Sequence, residues 1–391
     1  MISFQRLSGG LCVLVVGCGG VDSNNAYEVV DSAGVRVVSY VDGWRDELPR
    51  AVVADEPVYR IGEVDGEDAY LLTHVVAAMP VPGGIVIAEG QSEELRRFDG
   101  EGAFMKAVGG RGGGPEEFGN LQFADLLSGD TIIVWDSGNR RVARLTPDLE
   151  FVGTEQWAFA MYVPYVLDAF PDGTFLPSVM PGTSGGERVG PFNQTAIPLV
   201  RANGTFREHD TIDHVLSCPS FRASDGQPVP IPFLNCPSYT AVSDGIWAGD
   251  GSSGKLFHTT LEGRRKLEIR LPLERSVTEE EVEAYKAAVI SDADEEMRPV
   301  LRRRLSEVPS PDFHPVFTGI RPNTDGSLWV RIANVQGGSG QHWVVFDSTG
   351  IARRVVELPS NISVLTLRGS RLIGTTRNEF DVVSLVELDV R

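Results

Sequence analysis

The sequence is short of positive charge. Its 391 residues include 35 Lys and Arg against 54 Asp and Glu, so the formal net charge is −19 at pH 7. A protein that binds nucleic acid needs clustered cationic side chains to neutralise phosphates, and we therefore exclude nucleic acid as a partner. The acidic excess favours a well-solvated, soluble surface, with an acidic binding face as the alternative.

Recognisable catalytic motifs are also missing. The chain has no serine elbow of the strand-to-helix kind, no His-Glu-x-x-His pair and no zinc-ligand spacing. The glycine-rich run at residues 109–114 lacks the Gly-Lys-Ser/Thr end of a phosphate-binding loop, and no helical pattern follows it. We interpret this run as a structural link with unusual backbone angles. The six histidines are scattered, which favours structural or exposed roles: His74, His209, His214, His258, His314 and His342.

No hydrophobic run is long enough to cross a bilayer. The apolar run at residues 7–16 is that of a signal peptide, and Val-Val-Gly-Cys at residues 15–18 resembles the bacterial lipobox. We expect a signal peptide at residues 1–17, a lipidated Cys18, a tether at residues 18–26 and one domain at residues 27–391. The alternative is an ordinary secretory signal with a buried Cys18.

This address predicts where the protein acts. A lipidated cysteine would make the membrane a partner and hold the domain outside the cytoplasm. Gly19 lacks the acidic signal linked to inner-membrane retention, which favours the outer membrane.

Cysteine is scarce as well. Of four cysteines, Cys12 is lost with the signal and Cys18 takes the lipid, which leaves Cys218 and Cys236. Each of these precedes a proline, and a pair in an oxidising compartment predicts a disulfide that closes a surface loop. Their spacing is wide and no Cys-x-x-Cys is present, so a metal pair is a poor alternative.

Glycine is abundant, with 43 residues, and it marks a repeat. A glycine turn followed by an apolar β-run occurs six times, with the turn glycines at residues 84, 129, 173, 245, 326 and 369. The intervals are 45, 44, 72, 81 and 43 residues, and the two long ones hold the cysteine loop and a helical segment. A second turn follows in five units. Four antiparallel strands in about 44 residues predict a propeller blade, and hence an all-β, six-bladed β-propeller.

The sixth unit lacks an outermost strand, which the N-terminus can supply. We expect residues 57–62 to pair with the last strand and close the ring, because closure removes exposed sheet edges. A further hairpin is predicted upstream at residues 29–38, without an assigned position on the ring. Two short helices are predicted in an insertion at residues 276–308, where Ser276 and Thr278 both fit capping boxes and Pro299 interrupts the pattern.

The second unit carries the signature of a known repeat. Residues 109–118, followed by Val-Trp-Asp-Ser-Gly-Asn-Arg-Arg-Val at residues 134–142, resemble the NHL repeat. The matching positions are Asp136, Asn139, Arg141 and Val142, and their recurrence favours a turn-stabilising hydrogen bond over an active-site ion pair. The match is weak in the third unit and partly restored by Asp250 in the fourth. The layout resembles bacterial six-bladed propeller lipoproteins, which implies the fold rather than an activity.

Propeller geometry selects the candidate site residues. The segment leading into each innermost strand lies near the central channel, where ligands commonly bind. The candidates on these segments are His74, Arg111, Asn120, Tyr165, Tyr239, His314 and Asn361. Oxygen ligands for a metal could come from Asn120, Asp125, Asp168 and Asn361.

Two functions fit these residues. The first is a surface-anchored binding or scaffold module for a protein, peptide or glycan, without a cofactor. The alternative is a lactonase- or esterase-like metal-dependent hydrolase, or a lyase, that holds a divalent cation such as Ca²⁺ in the channel. We favour binding, because no catalytic constellation is visible.

Overall fold

The computed structural model describes residues 26–127, 130–158, 165–178, 188–189, 192–333 and 340–391. The expected signal peptide, the lipidation site Cys18, nearly all of the tether and the turn glycine Gly129 lie outside these ranges. Within them, no helix has the length and apolar character needed to span a membrane.

The described secondary structure is almost entirely β. Four strands precede the first blade: β1 (Tyr27–Ser32), β2 (Val35–Tyr40), β3 (Arg50–Val52) and β4 (Tyr59–Ile61). The strands that follow, up to the cysteine loop, are β5 (Val75–Val81), β6 (Gly84–Glu89), β7 (Glu94–Asp99), β8 (Phe104–Gly109), β9 (Leu121–Leu127), β10 (Thr131–Asp136), β11 (Arg141–Leu145), β12 (Phe151–Gln156), β13 (Tyr165–Ala169), β14 (Phe175–Ser178), β15 (Arg188–Val189), β16 (Phe192–Asn193), β17 (Ala196–Ala202) and β18 (His209–Leu216). The rest are β19 (Phe221–Arg222), β20 (Pro228–Val229), β21 (Ser238–Val242), β22 (Gly245–Asp250), β23 (Lys255–Thr260), β24 (Arg265–Arg270), α1 (Glu279–Ser291), α2 (Arg298–Ser306), β25 (Phe317–Pro322), β26 (Leu328–Ile332), β27 (Gly340–Phe346), β28 (Ala352–Pro359), β29 (Ile362–Arg368), β30 (Arg371–Arg377) and β31 (Val383–Asp389).

Six antiparallel sheets surround one axis. Blades 1 to 3 are β5–β8, β9–β12 and β13-β14-β17-β18, and blades 4 to 6 are built on β21–β24, β25–β28 and β29–β31. The innermost strand of each blade contacts the innermost strand of the next, and β29 contacts β5, so the ring is closed. The predicted six-bladed β-propeller is confirmed.

In the first turns of blades 1 and 4 the chain comes very close to its neighbour. A Cβ atom on Gly84 would lie 2.0 Å from the carbonyl oxygen of Phe98, and one on Gly245 would lie 2.0 Å from that of Thr259. Both glycines open the second strand of a blade, opposite the end of the third. Only a residue without a side chain permits this approach. At Gly173, Gly326 and Gly369 the backbone has a positive φ, which also favours glycine.

The N-terminus closes the last blade. Strand β4 pairs antiparallel with β31, and Tyr59 lies opposite Glu387 while Ile61 lies opposite Leu385. The prediction for residues 57–62 is therefore confirmed.

The segment that carries strands β1 to β4, residues 26–61, forms what we call the N-terminal belt. Strand β2 lies parallel to β24 on the outside of blade 4, and β3 lies parallel to β28 on the outside of blade 5. The side chains of Tyr40 and Trp44 pack on Phe346 of blade 5. The Tyr40 hydroxyl donates to the carbonyl oxygen of Gly350 at 3.0 Å, and burial raises its pKa. The belt thus places the predicted hairpin on blade 4.

Two insertions meet on one end of the ring, and we call them the cap, residues 217–237 and 272–316. Helix α1 begins at the Thr278 capping box, and Pro299 lies in the first turn of α2, so the two predicted helices are confirmed. Leu305 packs in a separate small core with Val229 of the cysteine loop. The predicted disulfide between Cys218 and Cys236 is present.

The acidic residue of the repeat motif in blade 2, Asp136, holds the link between blades 1 and 2. Asp136 is fully buried and accepts hydrogen bonds from the backbone N–H groups of Gly119 and Asn120 at 3.0 and 3.1 Å. Arg141 donates to Asp136 through Nε at 3.1 Å and to the carbonyl oxygen of Gly114 at 2.8 Å. The interpretation of these residues as turn-stabilising is confirmed. We call this arrangement the link clasp.

Blade 1 has the same clasp with different residues. The buried Glu89 accepts from the backbone N–H groups of Thr73 and His74 at 3.1 and 2.7 Å. Burial alone would raise the pKa of Glu89, but its hydrogen bonds, led by that from His74, hold it below the ordinary value. Arg96 donates to the carbonyl oxygen of Leu71 at 2.8 Å. The clasp therefore fixes the links on both sides of blade 1.

We predict that Asp136→Ala lowers the free energy of unfolding by about 3–5 kcal/mol, because it leaves Arg141 buried without its counter-charge. The matched control is Asp250→Ala at the same repeat position of blade 4. Asp250 accepts one side-chain hydrogen bond, from the N–H of Ser252 at 2.9 Å, so its loss should be about 1 kcal/mol. Urea unfolding of both variants measures the difference; equal losses would contradict a special role for the clasp.

Candidate functional site

All six innermost strands run in the same direction, and we call the end where they begin the top face. The links between blades and the cap lie at this end, because each link leads into an innermost strand. The connections at this end differ most in length and include the longest ones, and they surround one mouth of the channel. This is the usual location of binding residues on a rigid scaffold.

The structure places the sequence candidates at the top face but distributes them around it. His74, Asn120, His314 and Asn361 each lie one to three residues before an innermost strand. Tyr165 is the first residue of β13, and Tyr239 is the second of β21. Of the candidates whose side chains the structure describes, Tyr239 alone lines the cavity at the mouth that we describe below.

Several candidates have structural partners instead. Asn120 donates from Nδ2 to the hydroxyl of Ser137 at 2.8 Å, within the turn of blade 2. Asn361 donates from Nδ2 to the carbonyl oxygen of Arg377 at 3.3 Å and lines a groove beside the belt. These two amides therefore stabilise the turns from which they come.

Two charged candidates are likewise occupied. Arg111 lies 3.4 Å from the carboxylate of Glu93 in the neighbouring turn of blade 1. His314 lies within the cap, with Nε2 3.2 Å from Glu281, and its ring packs on Phe233. His314 thus joins α1 to the cysteine loop of the cap.

A cavity of about 620 Å³ opens at the top face beside blades 4, 5 and 6. We call it the mouth pocket. Tyr239 of blade 4 lines one side, Arg321 and Arg331 of blade 5 line another, and Ser363 comes from blade 6. The disulfide of the cap forms part of the wall. The volume is within the range of small-molecule sites.

Sequence reasoning missed both arginines. Gly319 pairs with Arg331 and Phe317 pairs with Ile332, so Thr318 is an extra residue that forms a bulge in β25. A bulge re-aims the side chains that follow it. No motif in the sequence predicts this bulge, so the direction of the Arg321 side chain could not be predicted.

Two half-buried carboxyl groups lie on neighbouring innermost strands. Asp125 is on β9 and Asp168 is on β13, and these strands are in contact. Asp168 accepts hydrogen bonds from the Thr240 hydroxyl and from the backbone N–H of Ala241 at 3.0 Å, which tie blade 3 to blade 4. Asp125 accepts only the N–H of its neighbour Leu126, at 2.8 Å. Hydrogen bonds from a neighbouring blade therefore stabilise Asp168 but not Asp125 within the described part of the chain.

Their pKa values reflect this difference. Burial, with a smaller contribution from the negative charge of Asp168, raises the pKa of Asp125 to about 7. Burial also raises the pKa of Asp168, and the hydrogen bond from Thr240 and the positive charge of Arg321 oppose that rise. Asp125 consequently exchanges its proton near neutral pH, inside the ring.

The four proposed oxygen ligands do not gather around one point. Five residues of strand separate Asn120 from Asp125, roughly 16 Å at the usual rise per residue. A Ca²⁺ ion takes six to eight oxygens at about 2.3–2.6 Å. Asp125 and Asp168 do not supply that number, and the described ranges contain no cluster of three or more His, Cys, Asp or Glu suited to a metal. We derive no step through a metal, and a divalent cation stays a prediction.

Comparisons with known proteins identify no family for this chain. No protein-family model matches the chain, and no curated protein sequence matches it. A member of the DUF4221 family from Bacteroides vulgatus is similar with a TM-score of 0.48 and 10% identity, over 88% of this chain and 99% of that one. A Bacteroides fragilis protein gives 0.47 and 12%, over 91% and 99%. A gluconolactonase from Xanthomonas campestris gives 0.38 and 12%, over 88% and 98%. Likeness at this level carries no argument about activity.

We predict that Asp125→Asn stabilises the protein at alkaline pH. A carboxyl group whose pKa is raised by folding loses stability as the pH rises from its unfolded value near 4 to its folded value. The asparagine cannot ionise, so its advantage should grow from nothing at pH 4 to roughly 1–3 kcal/mol at pH 8. Denaturant unfolding across this range measures it.

The control for this experiment is Glu116→Gln, on an exposed side chain in the link before blade 2 that makes no hydrogen bond or ion pair with any described residue. Its pH profile should follow that of the wild type. An advantage of Asp125→Asn that is the same at pH 4 and pH 8 would show that ionisation of this carboxyl is not what destabilises the ring.

Proposed function

We propose that the protein is an extracytoplasmic, lipid-anchored binding module that takes a small polar ligand in the mouth pocket. The observation that carries this proposal is a cavity lined by cationic, aromatic and hydroxyl side chains from three blades. Convergence of polar groups on one concave site is the usual sign of a ligand site. A rigid ring supports it, as precise recognition requires.

The proposed location has independent support. The disulfide between Cys218 and Cys236 suits an oxidising compartment, and it forms a wall of the mouth pocket. Lipidation at Cys18 is the second part of the proposal. An anchor there, followed by the tether and the belt, would hold the ring at a membrane surface.

Binding suits this pocket better than catalysis. The hydroxyl groups of Ser238, Thr318, Ser360 and Ser363, which line it, make no hydrogen bond with any residue in the described ranges, so none of these four is activated by a base there. The hydrolase and lyase alternatives would need such an activated group or a metal. We propose no second function.

We predict that Gly319→Phe abolishes ligand binding without unfolding the ring. Gly319 lines the mouth pocket, and a Cβ atom added to it meets no heavy atom within 4 Å, so a larger side chain fills the cavity rather than the core. Thermal melting of the mature chain in detergent, against a panel of sugars, organic acids and short peptides, identifies ligands. A ligand at 100 times its Kd stabilises the native state by about 2.7 kcal/mol, and the variant should lose this effect.

The matched control is Gly153→Phe on β12, an outer strand, where an added Cβ atom also meets nothing within 4 Å. It should respond to every ligand as the wild type does. A compound that stabilises Gly319→Phe as much as the wild type would place its site elsewhere. A panel without any hit would overturn the proposal of a small-molecule ligand.

A further inference from the structure

The mouth pocket has an unusual charge for this protein. Two arginines line it, Arg321 and Arg331, and none of its lining residues is Asp or Glu, although the chain has a net charge of −19. We infer that its ligand is a small, hydroxylated organic carboxylate, and that these two guanidinium groups bind the carboxylate. This inference rests on the proposed function and names the ligand class of the same pocket.

The strand register puts both arginines on one face of blade 5. Arg331 lies opposite Gly319, and Arg321 lies opposite Trp329, so Arg321 and Arg331 are diagonal neighbours across β25 and β26. Diagonal pairs on a sheet face are about 7–8 Å apart, within reach of one ligand for side chains of this length. The open space over Gly319 lies beside them. Both guanidinium groups can therefore contact the same small molecule.

The hydrogen-bonding capacity of these arginines is largely unused. Arg331 makes no hydrogen bond or ion pair with any residue that the structure describes. Arg321 makes one weak hydrogen bond, from Nη1 to the carbonyl oxygen of Ile320 at 3.4 Å. By contrast, the guanidinium of Arg141 in the link clasp is bonded to Asp136 and to backbone carbonyl groups. A guanidinium presents five N–H donors in a fork that matches a carboxylate, so the pocket retains donors for an oxyanion.

The remaining polar groups suit a ligand with hydroxyls. Ser238, Thr318, Ser360 and Ser363 line the pocket, and their hydroxyl groups make no hydrogen bond within the described part of the chain. Gln341 holds this wall in place, because its Nε2 donates to the carbonyl oxygen of Ile362 at 2.6 Å and its Oε1 accepts from the indole of Trp343 at 3.3 Å. Neutral hydroxyls around two cations complement a carboxylate on a polyhydroxylated molecule.

The nearby half-buried acids do not neutralise the arginines. The positive charge of Arg321 acts on Asp168, but that carboxyl is held by Thr240 and Ala241 of blade 4. No ion pair joins either arginine to a described carboxylate. Neither pocket arginine is therefore neutralised through an ion pair with a described carboxylate.

Isothermal calorimetry on the mature chain in detergent tests this inference with three probes. Galacturonate carries a carboxylate, galactose is its neutral counterpart, and inorganic phosphate is an oxyanion without a carbon frame. We expect galacturonate to bind at least about tenfold more tightly than either of the others, and we expect its affinity to fall as salt is raised.

Substitutions of the two pocket arginines test whether their positive charges bind the carboxylate. Arg331→Gln should weaken galacturonate binding at least tenfold, and Arg331→Lys should restore part of it, because an ammonium keeps the charge but not the fork. Arg321→Gln should act in the same direction. The control is Arg354→Gln on β28, another arginine of blade 5 without a bond to a described residue, which should bind as the wild type does.

The outcomes separate the inference from the proposed function. Galactose binding as tightly as galacturonate, with loss of both in Gly319→Phe, would overturn the carboxylate and keep the pocket. Phosphate binding as tightly as galacturonate would also overturn it, in favour of a site for any oxyanion. If no probe binds and the wider panel gives no hit, both the inference and the proposed function fail.

Discussion

The pairing of β4 with β31 is the constraint on which the rest of the molecule depends. Blade 6 has three strands of its own, and β4 supplies its outermost strand from the far end of the chain. Closure leaves no open face between blades 6 and 1, where Ile61 and Leu385 join the core with Ile85 and Phe98 of blade 1. The belt extends this closure, because its earlier strands also cover blades 4 and 5. The three blades that line the mouth pocket are therefore those fastened by the N-terminus.

Within the ring, a buried acid and a buried arginine hold each of the two links that flank blade 1, although the spacing of these residues in the sequence differs. Asp136 with Arg141 and Glu89 with Arg96 do the same work: an acid at the end of the second strand accepts backbone N–H groups of the preceding link, and an arginine donates to that link's carbonyls. The arginine lies further along the chain from its acid in blade 1, Glu89 to Arg96, than in blade 2, Asp136 to Arg141. The function that this motif serves is to fix the top face, on which every candidate site residue lies.

The fold could be predicted from the sequence and the site largely could not, for a physical reason. Turn glycines are required by the backbone, through a close contact at Gly84 and through a positive φ at Gly326, so the sequence indicates where blades lie. The hairpin of β1 and β2 has a strand pattern, but its parallel pairing with β24 is a tertiary contact without a local signal. Segment positions were likewise predictable, whereas side-chain direction depends on bulges such as the one at Thr318. Asp125 and Asp168 were named as weak candidates for metal ligands, which stays a prediction, and the difference in their hydrogen bonds had no signal in the sequence.

The insertions explain why one sector of the top face became the mouth pocket. The cysteine loop and the helical segment pack on each other through Leu305 and Val229, and Asp225 of the loop lies 2.8 Å from Arg304 of α2. The cap can therefore be added to blades 4 and 5 without using the ring's own core. Its disulfide forms part of the wall of the mouth pocket. The positive charge of Arg321 acts on Asp168 of blade 3. Asp168 is held by the Thr240 hydroxyl and the Ala241 N–H of blade 4 and forms no ion pair with Arg321 in the described part of the chain, so the contact that ties blades 3 and 4 together leaves the pocket with positive charge.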